Sequence, residues 1–156
     1  MKKFLTVIGL ISLLLCGCAQ EAPAPEASAA PAPAATPAPV DGSIGKLRIS
    51  ELMPKNHSTL RDEDGDFSDW IELENCSGES LNLDGWRLSD DSSQGWALPA
   101  RSLAAGERLL VFASGKDRAE NELHTDFKLS AGETLTLRTP MGNISHSADC
   151  GNTGAD

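Results

Sequence analysis

From about residue 46 onward, hydrophobic and polar residues alternate in short runs with the two-residue period of β-strands. The clearest run is 70–75, where Ile71 and Leu73 share one face and Glu72 and Glu74 share the other. Further strands are predicted at 46–53, at Leu81 and Leu83, at Trp86 and Leu88, at Arg108–Ala113, at Thr134–Arg138 and at 143–150, unless the chain is clipped before this last one. The run 109–113 is continuously apolar, which favours a strand buried on both faces.

Glycine turns separate these runs. They are Asp64-Gly65, Ser77-Gly78, Asp84-Gly85, Ala105-Gly106, Ser114-Gly115, Ala131-Gly132 and Met141-Gly142. Short strands at regular spacing with glycine turns predict an all-β, antiparallel sandwich or barrel. No long segment has the 3.6-residue period of a surface helix. Residues 44–156 are numerous enough for one domain with one core, and not for two.

The N-terminal residues have a different pattern, a short apolar run after two lysines. Lys2 and Lys3 precede 4–15, which is shorter than the roughly 20 residues that cross a bilayer as a helix. The sequence LLLCGCA at 13–19 then resembles a lipobox, so 1–17 is interpreted as a lipoprotein signal peptide and Cys18 as the acylated first residue of the mature chain. The alternative is an ordinary signal peptide cut elsewhere. Lipidation at Cys18 predicts a protein anchored to the extracytoplasmic face of a bacterial membrane, at the cell surface or on the outer membrane.

Residues 18–43 are predicted to form a disordered linker. The stretch 21–40 contains 9 Ala and 6 Pro in 20 residues, so it has little to bury and favours extended polyproline II. Without Lys2 and Lys3, the chain has 11 basic residues against 23 acidic ones, a formal net charge of −12. This charge argues against nucleic-acid binding and against the domain being drawn electrostatically onto anionic lipid.

Two cysteines remain after Cys16 is removed and Cys18 is acylated. Cys76 and Cys150 lie 74 residues apart, and in an oxidising compartment they can pair. The alternative is two independent small hydrophobic residues. Nothing in the sequence fixes the distance between them.

Several segments in a fixed order resemble the lamin tail domain family. They are ISELMPKN at 49–56, DEDGDFSDWIELEN at 62–75, LNLDGWRLSDD at 81–91, WALP at 96–99, LAAGERLLVFASGKD at 103–117 and LHTDFKLSAGETLTL at 123–137. This family occurs at the tails of nuclear lamins and in many secreted bacterial proteins. The resemblance covers nearly all of 44–156 and implies an immunoglobulin-like β-sandwich. It also implies a binding or positioning module without catalytic machinery.

The strongest candidate site is an acidic turn. Asp62, Asp64 and Asp66 surround a glycine, and several oxygens on one tight turn suit Ca²⁺. The spacing departs from an EF-hand loop, which would have Gly and Glu where this chain has Phe67 and Leu73. The alternative is a solvated turn in which the Asp side chains cap local N–H groups.

The other candidate residues are aromatic. Trp86 and Trp96 are expected to close the core, because each lies beside a turn and next to apolar residues. Trp70 begins its strand and is expected to be partly exposed, which makes it a candidate surface-binding residue. The three histidines have no metal-ligand spacing, and no nucleophile or phosphate-loop motif is present.

These observations favour a non-catalytic, lipid-anchored envelope protein whose domain binds an envelope protein or a wall polysaccharide. Two alternatives remain open. One is a calcium-dependent adhesion or assembly module that uses Asp62–Asp66, and the other is an accessory part or fragment of an envelope enzyme.

Overall fold

The computed structural model describes residues 39–90 and 94–151, and in that part of the chain the regular structure is entirely β. The strands are β1 (Leu47–Met53), β2 (Asp69–Asn75), β3 (Leu81–Asn82), β4 (Arg87–Ser89), β5 (Trp96–Ala97), β6 (Ser102–Leu103), β7 (Arg108–Ala113), β8 (Thr134–Arg138) and β9 (Ile144–Asp149). None of the described residues forms a helix long and apolar enough to span a membrane. The predicted signal peptide, Cys18 and most of the predicted linker lie outside the described residues.

The strands form two main sheets that share one core. One sheet has the order β1-β2-β7 and the other has the order β5-β4-β8-β9, while β3 and β6 form a small two-stranded sheet. All strand pairs are antiparallel. A single buried cluster takes side chains from each sheet, including Leu47, Ile71, Leu73 and Val111 from the first and Leu88, Leu135 and Leu137 from the second. The domain is therefore a sandwich of two sheets, one of the two predicted alternatives.

Trp86 and Trp96 contribute to this core, as predicted. Trp86 is 1% exposed and Trp96 is 7% exposed. The backbone around Trp86 is fixed, since its N–H donates to Leu83 O over 3.1 Å and its carbonyl accepts from Leu98 N over 2.9 Å. The indole N–H of Trp96 donates to Asp117 Oδ1 over 3.1 Å, so its burial leaves no polar atom unpaired.

Strand β7 differs from the prediction at one position. Leu109, Val111, Phe112 and Ala113 are buried, but Leu110 is 37% exposed. The outer face of the β1-β2-β7 sheet is covered around Phe112, where the segment 123–125 pairs with the β7 backbone and the ring of His124 stacks on Phe112. The strand is thus buried on both faces only at its C-terminal end.

The folded domain begins earlier than the predicted boundary at residue 44. Asp41 is buried, and its Oδ2 accepts hydrogen bonds from Thr139 Oγ1 and from Asn143 Nδ2, the latter over 2.9 Å. These bonds, with Thr139 giving the largest effect, lower the pKa of Asp41. A residue that composition alone assigns to the linker is therefore part of the folded domain.

Cys76 and Cys150 are both free thiols in this structure, so of the two alternatives that the sequence left open the disulfide is the one contradicted. Cys76 directly follows the end of β2 and is exposed, whereas Cys150 is buried and lies near Asp69 at the start of β2. Burial is the main reason why the pKa of Cys150 is raised. A seven-residue strand is roughly 20 Å long, well beyond the span of a disulfide.

Candidate functional site

The acidic turn lies between β1 and β2 and is organised around Asp62. The N–H of Asp62 donates to Asp66 O and the N–H of Gly65 donates to Asp62 O, each over 2.9 Å. Asp62 Oδ1 accepts the N–H groups of Asp64 (3.1 Å) and Asp66 (3.0 Å), and Asp62 Oδ2 accepts the hydroxyl of Ser68 (2.8 Å). Asp62 therefore caps local N–H groups, as the alternative interpretation of the turn predicted.

The three carboxylates of the turn converge on one cation, which is the ammonium group of Lys116. Lys116 Nζ lies 2.6 Å from Asp62 Oδ2, 2.6 Å from Asp64 Oδ2 and 3.0 Å from Asp66 Oδ2. The three acids lie close enough together to hold a metal ion. In this structure the ammonium group of Lys116 occupies the position that a bound Ca²⁺ would take.

Ionisation of these groups is mutually reinforcing. Burial opposes the charge on Asp62, but hydrogen bonds from Lys116, Ser68 and the backbone of Asp66 outweigh it and lower the pKa to about 2. Burial likewise acts against the charge on Lys116, and bonds to the three carboxylates reverse this and hold its pKa above the usual range. The bond from Lys116 is the main reason why the pKa of Asp64 is lowered. Asp62, Asp64 and Lys116 are thus charged at neutral pH.

A second cation, Arg118, extends the arrangement. Arg118 Nη2 donates to Asp64 Oδ2 over 2.5 Å and lies 3.0 Å from Glu63 Oε1. It also lies 3.4 Å from His124 Nε2. We call this set of side chains the charged cluster; it consists of Asp62, Glu63, Asp64, Asp66, Lys116, Arg118, Glu122 and His124.

His124 is the buried end of the charged cluster. Its side chain is fully buried, its ring stacks on Phe112 at 5.3 Å between centroids, and its Nδ1 lies 2.9 Å from Ser114 Oγ. Burial, together with the charges of Arg118 and Lys116, lowers the pKa of His124, so the imidazole is neutral at pH 7. Nε2 then faces the cation as an acceptor while Nδ1 donates to Ser114.

His124, Glu63 and Glu122 form a second group that could hold a metal ion. His124 Nε2 lies 4.0 Å from Glu63 Oε1 and 3.7 Å from Glu122 Oε2. An imidazole nitrogen with two carboxylates is a donor set that suits Zn²⁺. Arg118 lies against two of these three groups, so here too a side chain of the protein supplies the positive charge.

The charged cluster joins two loops that cover the outer face of the β1-β2-β7 sheet. Asp62, Glu63, Asp64 and Asp66 belong to the β1–β2 loop, and the other members follow β7. The N–H of Glu63 also donates to Glu122 Oε2 over 2.6 Å. The chemistry available to this arrangement is ion pairing that fixes the loops, with cation binding as a competing use of the same oxygens.

Trp70 lies beneath this cover, and the prediction of a partly exposed Trp70 is wrong. It is 8% exposed and pairs across the sheet with Phe112 of β7, on the face opposite to Ile71. The loop before β2 is held over this face, since Asn56 N–H donates to Asp69 Oδ1 and Asn56 Nδ2 to Ser68 O. Trp70 and Phe112 thus form a small second apolar layer outside the main core.

The cationic half of the charged cluster was missed by sequence reasoning. Lys116 and Arg118 lie in the sequence SGKDR, directly after a buried strand. Two basic residues in a strongly acidic chain are a usable signal, but only the pairing of β2 with β7 brings them to the acidic turn. Asp62 and Lys116 are 54 residues apart in the chain.

A fold of two antiparallel sheets around one core defines the domain as an immunoglobulin-like β-sandwich. The family model named Lamin Tail Domain matches residues 41–152. The chain therefore belongs to the lamin tail domain family, a family of non-enzymatic immunoglobulin-like domains. No curated protein matches the chain. The start of the match at residue 41 agrees with the buried position of Asp41.

The lowered pKa of Asp62 predicts a loss of stability in acid. Its side chain is fully buried, and its pKa falls from the usual 3.8 to about 2 on folding. A carboxyl group whose pKa is lower in the folded than in the unfolded chain stabilises the fold at any pH above the unfolded pKa. For Asp62 this contribution is lost as the pH falls from about 4 to about 2. At 1.36 kcal/mol per pKa unit, the expected loss from Asp62 is about 2 kcal/mol.

Urea unfolding measured between pH 7 and pH 2.5 checks this. Asp62→Asn should be less stable at pH 7 and lose less below pH 4; parallel pH curves for the two proteins would contradict the assignment.

Proposed function

We propose that this protein is a non-catalytic, lipid-anchored protein of a bacterial cell envelope, which presents its lamin tail domain to bind another envelope protein or a wall polysaccharide. The observation that carries the proposal is the order of parts along one chain. A lipobox ending at Cys18 precedes an Ala/Pro-rich stretch, and a domain of a non-enzymatic family follows from residue 41. This order suits a domain that is tethered to a membrane through a flexible linker.

The geometry of the charged cluster argues against a catalytic role. The acids that its β1–β2 loop contributes are held by Lys116 and Arg118 in ion pairs, and the lowered pKa of Asp62 and Asp64 keeps these two ionised. A general acid at neutral pH needs a raised carboxyl pKa, which is the opposite of what this environment produces. The charged cluster therefore serves to fix the loops of the domain.

Calcium-dependent adhesion is the second candidate function, because Asp62, Asp64 and Asp66 do converge. Calcium would have to displace the ammonium of Lys116 from three contacts of 2.6–3.0 Å. For this reason we favour binding that does not depend on a metal ion. The response of Lys116 variants to calcium distinguishes this function from calcium-dependent adhesion.

Lipid attachment tests the anchor directly. Cys18→Ser should abolish incorporation of a fatty-acid analogue and leave the protein as a precursor or in the soluble fraction. Cys16→Ala is the matched control, since it removes a neighbouring thiol and should change little. Metabolic labelling followed by membrane fractionation measures both effects. Label that persists in Cys18→Ser would contradict the anchor.

The partner is tested by crosslinking in intact cells. Capture of one envelope protein, or of wall fragments, by the wild-type protein and not by a chain with the domain unfolded would support the binding role. Recovery of neither, with the protein correctly anchored, would contradict it.

A further inference from the structure

Exposed hydrophobic side chains concentrate at one end of the domain. In the described part of the chain, the large apolar residues with the highest exposure are Val40 (93%), Ile44 (53%), Ile144 (53%) and Met141 (52%). Leu60 and Leu110 are less exposed, at 37% each. Scattered exposed apolar residues need no explanation, but a contiguous patch points to an interaction surface.

Hydrogen bonds hold the two segments that carry these four residues against each other. Asp41, next to Val40, accepts from Asn143, which lies between Met141 and Ile144. Gly45, next to Ile44, donates its N–H to Ser145 Oγ over 3.0 Å, and Ser145 directly follows Ile144. We call Val40, Ile44, Met141 and Ile144 the linker-end patch, because it lies where the chain enters the domain from the linker.

The surroundings of the linker-end patch are close to electrically neutral. Lys46 pairs with Glu79 over 3.1 Å, and the nearby Arg138 donates to Gly142 O over 3.2 Å. The carboxylate of Asp41 is buried and hydrogen-bonded. Asp84 is an exposed acid on this side in addition to Glu79, since the adjoining Gly85 lies against Pro140. The chain as a whole is strongly acidic, with 23 acidic residues.

The linker to Cys18 indicates which surface the linker-end patch contacts. Val40 is 22 residues from Cys18, so an acylated Cys18 keeps the domain within about 70 Å of the lipid surface at 3.1 Å per residue. A tether turns docking into an intramolecular event, and a patch too small to bind lipid on its own then gains a high effective concentration of membrane. Apolar side chains with a neutral border suit the interface of a zwitterionic bilayer.

We propose that the linker-end patch docks on the bilayer that holds Cys18, so that the domain rests on the membrane by this end and the charged cluster faces away from it. The proposal rests on the lipid anchor of the proposed function. The position of the charged cluster follows from the strands. Cys76 and Lys46 lie at the end of β2 that adjoins the linker-end patch, and Asp69, beside the acidic turn, begins β2 at the other end.

The experiment uses the full acylated protein in phosphatidylcholine vesicles that contain bromine-labelled lipids as quenchers. Cys76 is exposed, and its N–H donates to Lys46 O over 2.7 Å, so a fluorophore on its thiol reports from beside the linker-end patch. Cys150 is buried and should remain unlabelled. The control carries the fluorophore on Asp126→Cys in a Cys76→Ser chain, because the neighbouring Phe127 and Lys128 contact 114–115 at the far end of β7.

Docked residues lie about 5–10 Å into the headgroup boundary, so we expect quenching at Cys76 to exceed quenching at residue 126 roughly twofold or more. Ile44→Ser combined with Met141→Ser and Ile144→Ser should abolish the difference, whereas Leu60→Ser with Leu110→Ser should leave it. Thermal melts check that both multiple variants stay folded.

Equal quenching at the two positions, or a difference that survives the triple substitution, would overturn the proposal. A difference that depends on protein density in the vesicle would assign the linker-end patch to a second copy, which also overturns it. The intact mass of the same sample reports acylation separately. A chain without acyl mass would refute the anchor and the docking together, while an acylated chain with equal quenching refutes the docking alone.

Discussion

Replacing Trp86 with alanine is expected to lower the free energy of unfolding by about 3–5 kcal/mol, the range for a large aromatic deletion in a core. Trp86 is 1% exposed and belongs to the cluster that both sheets share. Its backbone also carries the bonds to Leu83 and Leu98, so the cavity cannot close by a simple shift of the chain. Since small domains have about 5–15 kcal/mol of stability in total, the variant should be largely unfolded at moderate temperature or in low urea.

Urea unfolding of the soluble mature chain measures this change. Phe67→Ala is the control, because Phe67 is an aromatic residue that is only partly buried and contacts the guanidinium of Arg61 at 3.9 Å. Its loss should cost about 1 kcal/mol or less. A change below about 1 kcal/mol for Trp86→Ala would show that the residue is not part of the core that joins the sheets.

The longer strands could be predicted from the sequence because their hydrophobic pattern is strong, alternating in most of them and continuous in 109–113. Arg108–Ala113 and Thr134–Arg138 agree with the structure at both ends, and the strand predicted at 46–53 begins in the structure one residue later, at Leu47. The strands β5 and β6 were not predicted, because two-residue strands have no period to detect. The positions of such short strands are set only by the adjoining turns and by the strands with which they pair.

Trp70 shows where alternation stops being informative. The pattern of β2 correctly puts Trp70 on the face opposite to Ile71 and Leu73, and for most sheets that face is solvated. Here the β1–β2 loop and the segment after β7 cover it. Whether the outer face of a sheet is covered depends on loops whose positions leave no periodic signal in the sequence.

The acidic turn was found from the sequence, but its partner was not. Asp62, Asp64 and Asp66 are close in the chain, so their convergence follows from a single turn. Lys116 reaches them only because β7 pairs with β2 and the following loop turns back. Local clusters can be read from spacing, whereas the neutralising charge comes from tertiary structure.

Removing Lys116 should therefore have the second large effect. Lys116→Met leaves the carboxylates of Asp62, Asp64 and Asp66 facing each other without the ammonium, and the side chain of Asp62 is fully buried. Removing one partner of a buried ion pair leaves the other charge buried without compensation. This lowers the free energy of unfolding by about 3–5 kcal/mol when both partners are fully buried. Lys116 is 25% exposed, so solvent and salt reduce the expected loss to about 2–3 kcal/mol at pH 7. Lys128→Met is the matched control on an exposed lysine of the neighbouring segment, and it should change stability by about 0.5 kcal/mol or less.

The same variant decides how the acidic turn responds to calcium. In the wild-type protein the ammonium of Lys116 already contacts all three carboxylates of the turn, so a thermal melt in millimolar Ca²⁺ should match one in Mg²⁺ at equal ionic strength. In Lys116→Met the three carboxylates no longer contact the ammonium, although Asp64 keeps its pair with Arg118. Ca²⁺ should then restore stability by mass action, by about 2.7 kcal/mol at a hundred times the dissociation constant. Asp64→Asn added to Lys116→Met should remove this response.

The contrary result is a calcium-specific rise in the wild-type melting temperature that Asp64→Asn abolishes. Calcium would then displace Lys116 in the native protein, and calcium-dependent binding would become the better account of the domain, because the loops over Trp70 would be fixed by the metal and no longer by the lysine.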